Sequence, residues 1–450
     1  MKKYLNSVVA KFDTTQSGNA ATGTKITVRD SGTGLKVDIY SDDGVTIKDN
    51  PFTVDSNGNY EFYVADGRYD IYQDEDLPSQ LILRDVSIFD VSISFGAPKT
   101  VTALVGNAFN FGVGSLLTVG GYSSQGDGGT GQWLKTSDTD TASQSPLARQ
   151  DGTLTDAIGA VWRLIVSGVL DPRSVGFTGS GDETASLTAA ASAVGEDGKV
   201  TLNTSYSFGI TTLNMGATNF DFANSSIETL TTGFGILSEG GFSNKIDVTS
   251  VSGNAIVTDG VLGDDGVTFK PSDIVKLTST DEQADYWSAR RFLGQFAVII
   301  DVIGDTITLD RDIFDDALYQ TNVSLFKLDG KSASIKNVTI RPSAALADHA
   351  SLVEFRSLYK PIIENLHTIN AKDTSVAYVS CYEYQHLNCS VKNSLDSQGT
   401  SNFGYGVYDA SSHAGYILNL QANNCRHAFT NGGFASSDGN VEPRCGYSTD

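Results

Sequence analysis

After residue 330 the sequence repeats loosely, and the repeat leaves few folds open. An asparagine recurs between short β-rich segments: Lys336-Asn337-Val338, Glu364-Asn365-Leu366, Leu387-Asn388-Cys389 and Leu418-Asn419-Leu420. The spacings are 28, 23 and 31 residues, a period that suggests a solenoid. β-branched strands recur and no helix accompanies each repeat, so a parallel β-helix fits best. In that fold a coil buries its inward side chains only by stacking on the next. Asparagine suits the corner of such a coil. It tolerates left-handed backbone, and its amide can bond to the next asparagine in a ladder. The unequal spacing predicts loops inserted between strands, where solenoids often build their binding surface.

Upstream the pattern changes. In residues 1–98, segments such as Lys25-Ile26-Thr27-Val28, Tyr60-Glu61-Phe62-Tyr63-Val64 and Arg68-Tyr69-Asp70-Ile71-Tyr72 partly alternate apolar with polar. Asp43-Gly44, Asp55-Ser56-Asn57-Gly58 and Asp66-Gly67 lie between them and supply the positive φ angles of tight hairpins. This spells an antiparallel β-sandwich. Residues 99–170 read as a connector with short strands. Its Gly-rich stretch Gly126-Asp127-Gly128-Gly129-Thr130-Gly131 has no following Gly-Lys-Ser/Thr, so a tight loop that lets Tyr122, Trp133 and Trp162 pack is expected rather than a phosphate cradle. A helix is expected from an Asp182 N-cap through Ala193, stopped by Gly195. From about residue 198 strands return, including Ile256-Val257, Ile274 to Leu277, Ala297 to Val302 and Thr306 to Leu309. Residues 171–450 are therefore assigned to the β-helix, incomplete at its C-terminus because no cap is evident before Asp450.

Charge narrows the partners. The 31 Lys and Arg against 53 Asp and Glu give a formal charge of −22. That argues against nucleic acid and against a polybasic membrane surface. No apolar run of about 18 residues predicts a transmembrane helix. The four cysteines, Cys381, Cys389, Cys425 and Cys445, form no C-x-x-C pair and fit free thiols of a chain folded in a reducing cytoplasm, with a disulfide or a zinc site as the alternatives. The five histidines show no H-x-x-x-H spacing, so no metal is expected, and no cofactor is implied.

Three stretches taken in order resemble bacteriophage tailspike or tail-fibre proteins of the pectate-lyase-like, right-handed parallel β-helix type. Asn50-Pro51 with the run Asp55 to Ile71 is similar to the N-terminal module that attaches such proteins to the virion. Gly121-Tyr122, Gly126-Asp127-Gly128-Gly129, Trp133 and Trp162-Arg163-Leu164 are similar to the segment before the β-helix. Val175-Gly176-Phe177 with Gly181-Asp182-Glu183-Thr184 resembles the entrance motif of the family, although the first Asp-Gly of that motif is missing. Arg426-His427-Ala428-Phe429-Thr430 resembles a late coil. The resemblance implies a homotrimeric tail appendage of the virion, folded in the host cytoplasm. Its N-terminal domain would bind phage tail or adaptor proteins and its β-helix would bind host surface polysaccharide. Many relatives depolymerise that polysaccharide, by hydrolysis or by β-elimination; others only bind. A non-enzymatic adaptor fibre that anchors a separate receptor-binding protein is the alternative.

Hydrolysis of a glycosidic bond needs two carboxylates, and elimination needs a base with charge stabilisation. The late coils offer Glu354, Glu364, Glu383, Asp396 and Asp409. Glu383 lies in Tyr382-Glu383-Tyr384-Gln385-His386, and Asp409 in Tyr408-Asp409-Ala410-Ser411-Ser412-His413. Coil register sets these two segments as neighbours about 4.8 Å apart. Glu383 and Asp409 are thus the catalytic candidates, with solvated outward carboxylates as the bland alternative. Tyr382, Tyr384 and Tyr408 are the candidate sugar contacts, since aromatic rings stack on sugar faces.

Overall fold

The computed structural model describes residues 2–7, 24–42, 46–55, 59–65, 67–73, 81–88, 98–107, 111–137, 140, 143–260, 263, 266, 268–283, 291–346, 350–395, 404–434 and 446–447. They form two compact units, Met1–Ala97 and Pro98–Asp450. Among the described residues no helix is long and apolar enough to cross a membrane.

The first unit has two four-stranded sheets. One joins Lys2–Ser7, Asn59–Val64, Ile39–Tyr40 and Ile47–Lys48; the other joins Phe52–Thr53, Lys25–Asp30, Gly67–Gln73 and Leu81–Ile88. All neighbours are antiparallel. Alternation sends Ile26, Val28 and Ile71 of one sheet into the same buried cluster as Ile39, Phe62 and Val64 of the other. The Asn50 side chain ties the loops, accepting from Val28 N at 3.0 Å and donating to Val28 O and Val37 O at 2.7 and 2.8 Å. Asp43-Gly44, Ser56-Asn57-Gly58 and Asp66 lie outside the described residues.

The second unit opens with a four-stranded antiparallel sheet, in the order Thr153–Thr155, Val161–Ile165, Thr130–Ser137, Leu116–Gly120. Trp133 and Trp162 are fully buried there, and the Trp162 indole donates to Asp156 at 3.0 Å. The Gly-rich loop wraps the carboxylate of Asp127. Asp127 accepts backbone N–H groups of Tyr122, Ser123, Ser124 and Gly129 at 2.8 to 3.0 Å. Desolvation pushes its pKa up, but the four donors outweigh it and hold the carboxyl at about 2. Gly128, at φ +91, leaves room for the Arg173 guanidinium, which a Cβ would meet at 2.1 Å.

The helix runs Thr184–Val194 and ends at Gly195. Glu183, not Asp182, occupies the cap position. Asp182 accepts from Thr184 N at 3.0 Å. The buried Glu183 carboxylate instead gathers the N–H groups of Thr178, Gly179 and Ser180 at 2.8, 2.8 and 3.2 Å. The preceding loop has claimed the side chain that would have capped.

Two parallel sheets then stack coil on coil. The first passes from Val169–Leu170 through Lys199–Thr201, Asn219–Thr229, Ser334–Pro342, Ile362–Ile369 and Gln385–Leu387 to Tyr416–Leu418, with Ser390–Ser394 and Gln421–Cys425 continuing the later coils. The second passes from Leu213–Asn214 through Ile236–Glu239, Ser351–Arg356, Thr374–Val379 and Tyr405–Ala410 to His427–Phe434. Their inward residues share one core. One inward column reads Phe220, Ile335, Ile363, His386, Ile417.

The asparagine ladder is present. Asn337, Asn365, Asn388 and Asn419 all have φ between 54° and 58°. Asn365 donates to Asn337 at 2.9 Å and Asn419 to Asn388 at 3.2 Å. A second ladder follows five residues behind. Asn370, Asn393 and Asn424 are also left-handed, with amide bonds of 2.9 and 3.0 Å between coils.

The solenoid is interrupted. Ile256-Val257, Ile274 to Leu277, Ala297 to Val302 and Thr306 to Leu309, expected within the coils of residues 171–450, belong to a closed six-stranded antiparallel barrel. It spans Phe242 to Leu328, and these two end residues pair with each other. The coils on either side pair directly, Asn219–Thr229 with Ser334–Pro342 and Ile236–Glu239 with Ser351–Arg356. The barrel has its own core, including Ile246, Phe269, Leu277, Ile299 and Leu325. It docks on the solenoid through Lys276, which is fully buried. The Lys276 ammonium donates to Ser380 Oγ at 2.8 Å, Ser411 O at 2.9 Å and Ser411 Oγ at 2.6 Å.

Candidate functional site

Glu383 and Asp409 are not brought together. Tyr382 pairs with His413 and Tyr378 with Asp409, so the expected register is displaced. Glu383 sits at a coil corner with φ 55, one residue after Tyr382, as Lys360 (φ 50) follows Tyr359 on the neighbouring coil. The corner turns its carboxylate outward to Lys360 Nζ at 3.0 Å. Asp409 lies two residues after the inward Val407, on the same face of the strand, and is 5% exposed. It accepts from Tyr384 Oη at 2.7 Å. One carboxylate lies outside the solenoid wall and the other inside it.

The tyrosines separate in the same way. Tyr384 is a core residue, stacked on Tyr378 with centroids 4.0 Å apart. Tyr382 lies in the seam with the barrel, against Phe296 at 5.5 Å and His413 at 5.5 Å. Tyr408 is half-buried over Ala377, Val379 and Ala410, and stacks on Tyr405 at 5.7 Å. Glu354 is buried and bonded to Arg356. Glu364 pairs with Lys336 at 2.8 Å. Asp396 lies outside the described residues.

A different surface gathers repeated polar groups. Beyond the first asparagine ladder the outward positions of the first sheet form columns. Ser226, Thr339, His367, Ser390 and Gln421 make one. Glu228 beside Arg341, and Ile369 beside Lys392 and Asn423, make the next. The intervening Ile227, Ile340 and Val391 are buried, as alternation requires. At the edge of this face lies a groove of about 880 Å³, lined by Glu228, Arg341, Asn370, Lys372, Asn393 and Asn424 among others. The second asparagine ladder thus forms part of its wall. Its members were legible, since each follows a first-ladder asparagine by five residues. The cations beside it carry no such period, because they alternate between two columns.

Arg341, Lys372, Lys392 and Arg426 put one cation on each of four successive coils of this face. Arg341 is half-exposed and stands 3.6 Å from Glu228. Arg426 lies over the Tyr405 ring at 5.8 Å. Among the described residues no group of three or more His, Cys, Asp or Glu stands close enough together to hold a metal ion.

No family model matches the chain, and no curated protein matches it. Solved structures do. The tailspike protein gp49 from Pseudomonas phage LKA1 is 15% identical with a TM-score of 0.35, over 52% of this chain and 39% of that one. The Gp54 tailspike of Acinetobacter baumannii bacteriophage AP22, solved in complex with A. baumannii capsular saccharide, is 13% identical with a TM-score of 0.31, over 56% and 49%. Pantoea stewartii WceF, described as a glycan biofilm modifying enzyme with a tailspike-like parallel β-helix fold, is 9% identical with a TM-score of 0.31, over 91% and 53%. The chain spans about half or less of the length of these structures.

Proposed function

We propose that this chain is the glycan-binding part of a phage tail appendage, and that a host surface polysaccharide lies along the outward face of the first solenoid sheet. One observation carries this: hydrogen-bonding side chains recur in columns from Ser226 to Gln421, beside a groove of about 880 Å³. A surface that repeats every coil, about 4.8 Å, suits a polymer of repeating hydroxylated units. The resemblance to tailspikes supports the remaining assignments. Residues 1–98 are a virion-attachment sandwich, residues 99–170 a connector, and the chain assembles as a homotrimer on the tail. Depolymerisation of the glycan belongs to the same proposal. Glu383 and Asp409 lie on opposite sides of the wall, so they do not act as a pair.

The test incubates the full chain with surface polysaccharides of candidate hosts. It follows binding, new reducing ends and the ultraviolet absorbance of unsaturated uronic sugars. We expect binding of a host polysaccharide. Reducing ends with the absorbance identify a lyase, and reducing ends without it a hydrolase. Binding with neither signal identifies a non-catalytic fibre. Absence of binding to every polysaccharide overturns the proposal, and a monomer by sedimentation overturns the trimer.

A further inference from the structure

The charge of the lateral face runs against that of the chain. Acidic groups outnumber basic ones 53 to 31 in the whole sequence. Beside this groove the described residues reverse the balance: Arg341 and Lys372 line it with Glu228, Lys392 stands in the adjoining outward column, and Asp373 and Arg426 follow the second-ladder corners of Asn370 and Asn424. The cations do not share a column. Arg341 and Lys392 belong to the outward column of the sheet, whereas Lys372 and Arg426 each lie two residues past a second-ladder asparagine, Asn370 and Asn424. Each coil therefore contributes one cation, on alternating sides of the line of ladder amides. The axial rise between them is about 4.8 Å per coil.

Two features make three of these cations available to a ligand. Arg341, Lys392 and Arg426 are exposed. The Arg341–Glu228 contact, at 3.6 Å between half-exposed groups, is the kind of surface pair worth about 0–1 kcal/mol. A ligand acid can replace it at little cost. The regular rise also favours a stiff, periodic polymer over a small anion, which would use one coil only.

We infer, resting on the glycan-binding reading above, that the polysaccharide bound by this face is acidic, with carboxylate or phosphate groups along its chain that meet Arg341, Lys372, Lys392 and Arg426 in turn. The ladder amides of Asn370, Asn393 and Asn424 lie between the cations and bond to sugar hydroxyls. The rest of the chain, more negative than the −22 of the whole, repels the same polymer and confines it to the stripe.

The test measures binding of the full chain to three probes: sodium alginate as the carboxylate polymer, a phosphomannan as the phosphate polymer, and dextran as the neutral control. Each is titrated at 20 and at 200 mM salt, because contacts to a polyanion weaken as salt rises. We expect alginate, phosphomannan or both to bind at low salt and to lose at least tenfold in affinity at high salt. The winner between them identifies the acid. The double variant Lys372→Glu with Lys392→Glu should lose at least tenfold in affinity for the same probe, with its melting temperature unchanged. Lys245→Glu, a reversal on the barrel, should leave binding intact. Dextran binding as tight as the acidic probes and insensitive to salt overturns the acidic assignment and leaves the glycan reading standing. No binding of any polyanion at 20 mM salt overturns the acidic assignment too, and failure with host polysaccharides as well overturns the glycan reading. Tighter binding of single-stranded DNA than of either acidic probe overturns the glycan assignment.

Discussion

Asn365 holds a left-handed corner at φ 55 and donates across coils to Asn337 at 2.9 Å. Alanine in its place would pay about 1–2 kcal/mol for the left-handed backbone and about 1 kcal/mol for the lost bond. Asn365→Ala is thus expected to destabilise the solenoid by about 2–3 kcal/mol. Asn365→Gly, which is free of the backbone penalty, should cost about 1 kcal/mol. Urea midpoints of the two variants check this; equal losses would show that the left-handed corner carries no strain. The ladder was legible because asparagine has a specific reason to sit at a corner. Glu383 was not, since its corner is filled by Lys360, Glu383 and Ala414 on successive coils, and such unlike residues mark no position in sequence. Without that corner in the count, the register of Glu383 against Asp409 slips.

At the scale of elements, the barrel was the hidden part. Its strands alternate apolar with polar as coil strands do, and period alone does not distinguish an antiparallel barrel from a parallel wall. What separates them is pairing, and the closing pair of Phe242 with Leu328 joins residues far apart in sequence. Lys276 anchors the barrel with three bonds to Ser380 and Ser411. Bonds to a charged group are worth about 1.5–3 kcal/mol each when their partners are left buried. Lys276→Ala is therefore expected to loosen the seam before either fold melts. Hydrogen exchange should rise in residues 376–383 and 409–414, while the barrel core around Leu277 and Ile299 stays protected. Unchanged exchange at the seam would mean that the aromatic contacts of Phe296 and Tyr382 hold it alone.

The molecule as a whole carries a pH limit in its core. His386 interrupts the apolar column of Phe220, Ile335, Ile363 and Ile417. Its Nδ1 meets Tyr378 Oη at 3.0 Å, and its Nε2 has no partner among the described residues. Burial pushes its pKa down from 6.5 to about 4. The unfolded chain therefore binds this proton first as pH falls. Stability from this group is complete above pH 6.5 and is lost progressively toward pH 4, by about 3 kcal/mol in all. Urea midpoints at pH 7.5 and 4.5 should show that loss in the native sequence, and a smaller one in His386→Leu. Identical pH profiles for the two would assign the loss to other groups. The architecture was more legible than the binding face: a repeat announces stacking, but a line of cations emerges only once the coils are set in register.

The interruption of the solenoid also has a consequence in time. Asn337 bonds to Asp221, 116 residues earlier, whereas Asn365 bonds to Asn337 only 28 residues earlier. Closing the longer loop costs roughly 1 kcal/mol more if the intervening chain is flexible, and almost nothing more if it has already folded. At about 5–20 residues per second of synthesis, the first coils would wait some 5–25 s for their next neighbour. During that pause their upper edge is a bare template for any strand nearby. A barrel that closes on itself as it emerges shortens the exposure, holding its two ends side by side so that the next coil is delivered to the edge where it belongs.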